Sequence, residues 1–230
     1  MLKVFCARSM HAAVAILSRQ FAEGWGAAPE IVFEPMGALQ ARLAAGETAD
    51  VLILTAAVID ALAKSGAVVS SSHAAIARAP IGIAVREGAP APDIATPEAF
   101  KDALTTARAI ALSDPAVGGS AGIYLRELFV RLGLAEIIAA KTVAQKSGVA
   151  AANAVGRGEA DLAMTFIPEL LQGKGVRILA ALPPPFGHSV TYAAAVSARS
   201  SCQDEARAFI KALTERNARS IWSMAGFEVE

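Results

Sequence analysis

The feature that most constrains this chain is the alternation of short apolar runs with alanine-rich amphipathic segments. Apolar residues recur at helical spacings of three and four in the longer segments, as at Val14, Leu17 and Phe21. The short runs are typical of strands and are Leu2–Cys6, Ile31–Glu34, Val51–Leu54, Ile81–Val85, Ala109–Leu112, Asp161–Phe166, Val176–Ala181 and Val190–Val196. This order of strands and helices predicts an α/β fold with mostly parallel sheets.

Local signals place several helix boundaries. Glycines at 46, 66 and 133 follow amphipathic segments and are predicted to end helices. Thr96-Pro97 is predicted to open a helix, with the threonine as N-cap and the proline in the first turn. Proline-rich loops lie at Glu87–Pro97 and Leu182–Ser189. Periodicity is compatible with a single doubly wound sheet, or with two lobes whose connections cross near residues 80 and 190.

Composition excludes several classes of protein. The 230 residues are 54% hydrophobic, with 21 basic and 21 acidic side chains, so the chain is not of a disordered type. The balanced charge predicts neither nucleic-acid binding nor attraction to an anionic membrane. No apolar run reaches the roughly 18 residues of a membrane span, and direct membrane insertion is not expected.

The N-terminal sequence and the cysteines bear on location. The first residues lack the features of a signal peptide, which predicts a cytoplasmic protein if Met1 is native and a periplasmic one if a leader was removed. Cys6 and Cys202 form no disulfide framework, which mildly favours a reducing compartment.

The first candidate site follows the first predicted strand. Ser9 is predicted to cap the next helix, where the same geometry suits an anion because unpaired N–H groups point beyond the strand. Arg8 adds a planar fork that can bind a carboxylate with two hydrogen bonds. An ordinary helix cap beside a surface arginine is the plainer alternative.

A second candidate is the glycine-rich turn Ser113–Tyr124, whose backbone N–H groups are suited to an anion before a new helix. An ordinary loop started by Asp114-Pro115 is the alternative. Within it, residues 118–122 match the G-x-S-x-G pattern of serine hydrolases, with Asp161 and His188 in hydrolase order. We treat that match as chance, because the segment Asp114–Gly119 intervenes between the strand and Ser120.

The third candidate is the segment Gln145–Val149, where Lys146 can neutralise an anion or be a solvated loop residue. The histidines at 11, 73 and 188 have no metal-ligand spacing, and no metal site is predicted. Dinucleotide and P-loop motifs are absent from the sequence, so no cofactor is expected.

Several segments together resemble the molybdate-binding proteins of ABC transporters, which have the type II periplasmic-binding-protein fold. VFCARSM near the start is similar to the family's VFAAASL. The resemblance continues in order along nearly the whole chain, through residues 37–51, 113–124, 158–162 and 226–227.

The resemblance implies two lobes that hold an anion in a cleft between them, each lobe a mostly parallel sheet flanked by helices. Lobe 1 would comprise residues 1–80 and 190–230, and lobe 2 residues 81–189. The implied partner is a small anion, with an ABC transporter permease if the protein is exported. The predicted ligand-binding residues combine those that the resemblance implies with the candidates from the sequence itself. They are Arg8, Ser9, Gly37, Ala38, Ser120, Ala121, Gly148, Val149 and Phe166.

Two positions depart from the family. Its second binding serine falls at Gly37 or Ala38, and its binding tyrosine falls at Phe166, which has no hydroxyl. Each missing donor costs a buried oxyanion about 1–3 kcal/mol. Since Arg8 replaces a neutral residue beside Ser9, the sequence favours an organic carboxylate over molybdate.

The alternative function is that of a cytoplasmic isomerase. Aconitate isomerases share this fold and act on small unsaturated polycarboxylates, and such a reaction requires an acid and a base. His11 and Glu34 are the predicted catalytic residues in that case, with Lys146 and His188 as further candidates. A serine hydrolase is the third and least favoured function.

Overall fold

The computed structural model describes residues 1–117 and 119–229, and the chain divides into two compact units. Unit 1 comprises Met1–Ala79 and Val190–Glu230, and unit 2 comprises Pro80–Ser189. The chain therefore leaves unit 1 once and returns to it once.

Unit 1 alternates strands and helices and ends with helices after the chain returns. Its strands are β1 (Lys3–Ala7), β2 (Glu30–Glu34), β3 (Val51–Thr55), the first part of β4 (Ala74–Arg86) and nearly all of β9 (Ser189–Val196). Its helices are α1 (His11–Trp25), α2 (Met36–Ala44), α3 (Ala56–Lys64), α9 (Gln203–Thr214) and α10 (Ala218–Met224). β1 pairs in parallel with β2 and β3, while β9 runs antiparallel to β3.

The unit 1 sheet is packed with large apolar side chains. Buried residues of one cluster come from β1, β3, β9, α2, α3 and the segments just before β3 and just after α3. They are Phe5, Leu39, Ala49, Leu52, Leu54, Ile59, Val68, Ala193 and Ala195. Elsewhere in the unit, α1 contacts α9 and α10, with Phe21 edge-on to Phe209 at 5.1 Å between ring centroids. Burial of these side chains supplies most of the stabilisation of unit 1.

Unit 2 repeats the alternation around a second set of strands. Its strands are the second part of β4, β5 (Ile110–Ser113), β6 (Thr142–Gln145), β7 (Leu162–Phe166) and β8 (Val176–Ala181). Its helices are α4 (Pro97–Thr106), α5 (Ser120–Arg131), α6 (Ala135–Ala139), α7 (Gly148–Gly156) and α8 (Ile167–Leu170). β5 pairs in parallel with β6 and β7, while β4 runs antiparallel to β7 and β8.

A core cluster of unit 2 is made largely of alanine. Its buried members are Ala84, Ala111, Ala151, Ala152, Ala154, Val155, Ala160, Ala163 and Leu170. Small side chains on both α7 and the sheet allow the helix axis to lie close to the strands. A side chain at Gly156 would overlap the carbonyl oxygen of Lys174, so the end of α7 is also closely packed.

The predicted α/β class and most element boundaries are confirmed. Thr96 accepts a hydrogen bond from Ala99 N at 3.1 Å, with Pro97 as the first residue of α4. The glycines at 46, 66 and 133 follow α2, α3 and α5 with positive φ angles of 86°, 73° and 69°. A left-handed residue after a helix is the arrangement that glycine tolerates best.

Two strand predictions needed correction. β6 was missed, because four residues without a continuous apolar run give a weak strand signal. β4 begins at Ala74 rather than at Ile81, and its first half contains small residues and Arg78. Both segments form strands because they pair with neighbouring strands, and a weak local apolar pattern does not reveal that pairing.

Candidate functional site

In unit 1, the ends of two parallel strands place the candidate residues side by side. Ala7 is in register with Glu34, so the residues that follow β1 and β2 leave the sheet at the same edge. Tyr192 of β9 is in register with Thr55, the last residue of β3. We call residues 8–11, 34–38 and 192 the unit 1 edge. In open α/β sheets, ligands bind at such carboxyl ends of the strands.

Ser9 is a buried hydroxyl donor rather than a helix cap. It lies in a short 3₁₀ turn, Arg8–Met10, and α1 begins after it with no side-chain cap. Its Oγ donates to Tyr192 Oη at 2.7 Å. The predicted N-cap role is wrong, because the hydroxyl is used by a residue of β9 rather than by the start of α1.

Tyr192 is a residue of the unit 1 edge that the sequence analysis missed. Its side chain is only 1% exposed and its hydroxyl accepts from Ser9. The sequence signal was a tyrosine in the largely apolar strand β9, because a buried tyrosine hydroxyl requires a hydrogen-bond partner.

Arg8 is exposed at the end of β1. Its guanidinium makes no hydrogen bond or ion pair with any residue that the structure describes. The positive charge contributes to lowering the pKa of Glu34, which places the two groups within electrostatic reach. The planar fork of Arg8 is thus accessible for a carboxylate.

The two predicted catalytic residues have different surroundings. Glu34 accepts a hydrogen bond from Arg42 at 2.6 Å, and this contact first, with the charges of Arg42 and Arg8, holds its pKa below the usual value. A carboxylate held ionised in this way is a weak base. His11 is exposed, and its ring meets Phe33 edge-on at 4.6 Å between centroids.

Gly37 and Ala38 lie in the first turn of α2 and offer backbone groups alone. The N–H of Ala38 donates to Pro35 O at 3.0 Å. The N–H of Gly37 has no acceptor among the residues that the structure describes. Gly37 is therefore the donor of this pair that remains for a ligand.

In unit 2, three parallel strands end together in the same manner. Ser113 of β5 is in register with Gln145 of β6, and Leu112 is in register with Met164 of β7. The starts of α5 and α7 therefore follow neighbouring strand ends. We call residues 113, 119–122, 145–149, 165–166 and 169 the unit 2 edge.

The start of α5 contains Ser120 and Ala121, whose N–H groups donate to none of the residues described. Ser113 is 4% exposed, and its Oγ has no hydrogen-bond partner within the described part of the chain. The same Oγ is 3.1 Å from the position that a Cβ on Gly119 would take. Gly118, part of the predicted turn, lies outside the described residues.

The start of α7 is capped by Ser147, whose Oγ accepts from Ala150 N at 3.1 Å. The N–H groups of Gly148 and Val149 donate to no described residue. Lys146 is exposed in the preceding loop. The first turn of α7 therefore keeps two backbone donors for an anion.

The end of β7 brings a carboxyl group to the start of α7. Phe166 is 3% exposed and has no polar atom in its side chain, but Thr165 before it donates from Oγ1 to Glu169 Oε2 at 2.6 Å. Thr165 is fully buried and Glu169 is 8% exposed. Neither residue was predicted from the sequence, although a threonine and a glutamate stand four residues apart in this largely apolar segment.

The structure agrees with the interpretation of the G-x-S-x-G match as chance. Asp161 precedes β7 and binds Arg108, while Ser120 follows the opposite end of parallel strand β5. His188 stacks on Tyr124 at 3.9 Å between ring centroids. Burial, and secondarily the charge of Arg131, lowers the pKa of His188. No serine–histidine–aspartate triad forms among these residues.

Within residues 1–117 and 119–229, no group of three or more histidine, cysteine, aspartate or glutamate side chains is arranged to hold a metal ion. No helix in this part of the chain combines the length and apolar character needed to cross a membrane.

A family model described as bacterial extracellular solute-binding protein matches residues 2–228. The chain belongs to this family. An aconitate isomerase from Pseudomonas sp is 35% identical to it over 196 residues, which are 84% of this chain and 71% of that protein.

Solved structures of low sequence identity share the fold. The periplasmic molybdate-binding protein of Azotobacter vinelandii is 21% identical with a TM-score of 0.81, and the match covers 100% of both chains. The sulfate-binding protein SubI of Mycobacterium tuberculosis is 17% identical with a TM-score of 0.76, covering 98% of this chain and 85% of that one. The type II periplasmic-binding-protein fold and the predicted family resemblance are confirmed.

Proposed function

We propose that this solute-binding protein captures a small organic polycarboxylate. The observation that carries the proposal is Arg8, an exposed guanidinium without a partner among the described residues, next to the buried Ser9. Charge-assisted, bidentate hydrogen bonds from arginine suit a planar carboxylate well. Backbone donors of Gly37, Ala121, Gly148 and Val149 would bind further carboxylate oxygens at the two edges.

Relatives support an anionic ligand and favour a carboxylate. The two solved structures above are named for molybdate and sulfate, whereas the relative at 35% identity is named aconitate isomerase. This chain has no side-chain hydroxyl at Gly37 or Phe166, where the resemblance implies family donors to a tetrahedral oxyanion. The loss of such donors weakens molybdate binding more than it weakens binding of a carboxylate held by arginine.

Membership of this family also supports a proposal for where the protein works and for its transport partner. Members are described as bacterial extracellular solute-binding proteins. If the protein is exported, we expect it to work in the periplasm and to deliver its ligand to an ABC transporter permease. The cleft between lobes, implied by the resemblance, stays a prediction.

Calorimetric titration with trans-aconitate, citrate and molybdate tests the carboxylate proposal. We expect a carboxylate to bind and molybdate to bind much more weakly. Arg8→Ala should lower carboxylate affinity about tenfold or more, since charge-assisted hydrogen bonds contribute about 1.5–3 kcal/mol. Arg207→Ala, which removes an exposed arginine of α9, is the matched control and should bind as the wild type does. Tight molybdate binding without carboxylate binding would overturn the proposal.

An isomerase is the second candidate function, favoured by the name of the 35% identical relative and by the buried carboxyl of Glu169. Of the predicted catalytic residues, Glu34 is disfavoured as a base by its contact with Arg42. His11 remains a candidate because it is exposed at the unit 1 edge. Proton NMR of aconitate incubated with the protein in deuterated buffer distinguishes turnover from binding alone.

A further inference from the structure

Glu169 is an acidic side chain in a place where acidic side chains are rare. It is 8% exposed, although glutamates are almost never buried without a partner. The short helix α8 begins directly after β7, and Pro168 lies in its first turn. Glu169 then returns its carboxyl to the strand end, where Thr165 donates to Oε2 at 2.6 Å.

The first residue of α7 is shaped to accommodate this carboxyl. A Cβ on Gly148 would overlap both Glu169 Oε2 and Thr165 Oγ1. The glycine is therefore required by the close approach of the two side chains. It also means that the carboxyl lies against the residue whose N–H, with that of Val149, has no acceptor in the described part of the chain.

The position is unfavourable for a protein that only binds anions. Like charges at close range repel, and the repulsion is stronger where water is excluded. A carboxyl group beside two anion donors thus weakens the binding of a fully ionised ligand. The same group is well placed to exchange a proton with a carbon atom next to a bound carboxylate.

We infer that Glu169 is a catalytic acid–base residue that moves a proton along a small unsaturated polycarboxylate bound at the unit 2 edge. This inference rests on the proposed binding of a carboxylate and extends it to a reaction. Ionised Glu169 removes a proton from the methylene carbon, and the C–H electron pair forms a new double bond. The electrons of the old double bond take the proton back from Glu169 at the far carbon.

The reaction is balanced without any further reactant. One C–H bond breaks, another forms, and the double bond moves by one position with no change of oxidation state. Glu169 ends as the carboxylate with which it began. Thr165 is a positioning residue, because its hydroxyl contacts Glu169 and orients the carboxyl.

The test follows trans-aconitate by proton NMR in deuterated buffer, with calorimetric binding measured on the same samples. Glu169→Gln keeps the size of the side chain and removes its ability to accept a proton. We expect it to bind aconitate within a few-fold of the wild type and to convert it at least about 100-fold more slowly. Glu136→Gln, at an exposed glutamate of α6, is the matched control and should convert at the wild-type rate.

Thr165 variants keep the test decisive if Glu169→Gln does not fold. Thr165→Val removes the hydroxyl at nearly constant volume and should lower kcat with little change in KM. Thr165→Ser restores the hydroxyl and should recover most of kcat. A valine variant that is merely less stable, with kcat unchanged, would overturn the positioning role and the inference with it.

The remaining outcomes separate the inference from the proposed function. If the wild type binds aconitate and leaves it unchanged over hours, Glu169 is not catalytic but carboxylate binding stands. Conversion by Glu169→Gln at the wild-type rate likewise overturns the inference alone. If the wild type binds neither aconitate nor citrate, the proposed function fails, and the inference fails with it.

Discussion

Unit 1 and unit 2 each place an aspartate directly before a central strand, and the two aspartates make the same contact. Asp50, before β3, accepts from the backbone N–H of Lys3 at 2.9 Å. Asp161, before β7, accepts from the backbone N–H of Arg108 at 2.8 Å. In both units the carboxylate joins the beginnings of neighbouring strands. The segments around residues 50 and 161, which resemble the molybdate-binding family, therefore have a structural role. They lie at the opposite ends of the strands from the unit 1 edge and the unit 2 edge.

At those edges the units differ. The unit 1 edge pairs two neutral hydroxyls, Ser9 and Tyr192, beside the accessible cation of Arg8. The unit 2 edge pairs the Thr165 hydroxyl with the carboxyl of Glu169. The same strand-to-helix geometry therefore supplies positive charge and hydroxyl groups in one unit and an acid in the other.

Core composition explains part of this difference. The unit 1 cluster contains phenylalanine, leucine and isoleucine, whereas the unit 2 cluster contains seven alanines, one valine and one leucine. Alanine on α7 and on the facing strands brings the helix close to the sheet. That close approach puts Gly148 against Thr165 and Glu169. Binding chemistry at the edge thus depends on packing beneath it.

The largest expected effect tests this close approach. Gly148→Ala should destabilise the protein by about 2–3 kcal/mol, because the added methyl overlaps two buried polar side chains. Gly24→Ala is the matched control in α1, where an added Cβ meets nothing within 4 Å. That variant should stabilise by about 0.5–1 kcal/mol, since alanine is the better helix former. Urea denaturation measures both, and equal stability of Gly148→Ala and wild type would refute the packing argument.

An intermediate effect is expected at the unit 1 edge. Ser9→Ala removes the 2.7 Å hydrogen bond to the buried Tyr192 hydroxyl and should cost about 1 kcal/mol. A double-mutant cycle with Tyr192→Phe, followed by denaturant unfolding, isolates the coupling of the pair. Ser220→Ala, at an exposed serine of α10, serves as the control. A coupling energy near zero would mean that the two hydroxyls do not stabilise each other.

The smallest expected effect concerns Asp161. Hydrogen bonding to Arg108 holds the pKa of this carboxyl below its usual value, so the ionised form stabilises the folded state. The stabilisation is complete above the unfolded pKa of about 4 and is lost as pH falls through the lower folded pKa. Asp161→Asn should lower the free energy of unfolding by only about 0.5 kcal/mol at pH 7, because the Asp161–Arg108 pair is partly exposed. The variant should also lose less stability on acidification, because asparagine does not titrate.

Urea unfolding at pH 7 and pH 3 provides the measurement for Asp161. Asp102→Asn, at an exposed aspartate of α4, is the control and should leave the pH dependence unchanged. If Asp161→Asn is as sensitive to acid as the wild type, the contact with Arg108 does not contribute to stability. The pKa of Asp50 is also lowered, by hydrogen bonds that outweigh its burial, so acid sensitivity should not disappear in that variant.

Much of the fold was readable in the sequence because the relevant forces are local. The apolar run Val176–Ala181 became β8 with the predicted bounds, and Thr96-Pro97 opened α4 as expected. β6 was missed because its stability comes from pairing with β5 rather than from its own apolar residues. The spacing of apolar residues and the residues that favour turns are local signals that span a few positions. Strand pairing, by contrast, joins residues that are far apart in the sequence.

The site divides in the same way. From the amino-acid order alone came the strand–helix alternation, the glycine-rich turn before α5 and Arg8 at the end of β1, since each depends on a short segment. The positions at the starts of α2 and α7 came from the family resemblance. The tertiary structure decided the partners of the buried polar groups. Ser9 meets Tyr192 across 183 positions, and Glu169 meets Gly148 because a helix packs closely on alanine. Such contacts are chosen by packing and by the need to satisfy buried hydrogen-bonding groups, which no local pattern encodes.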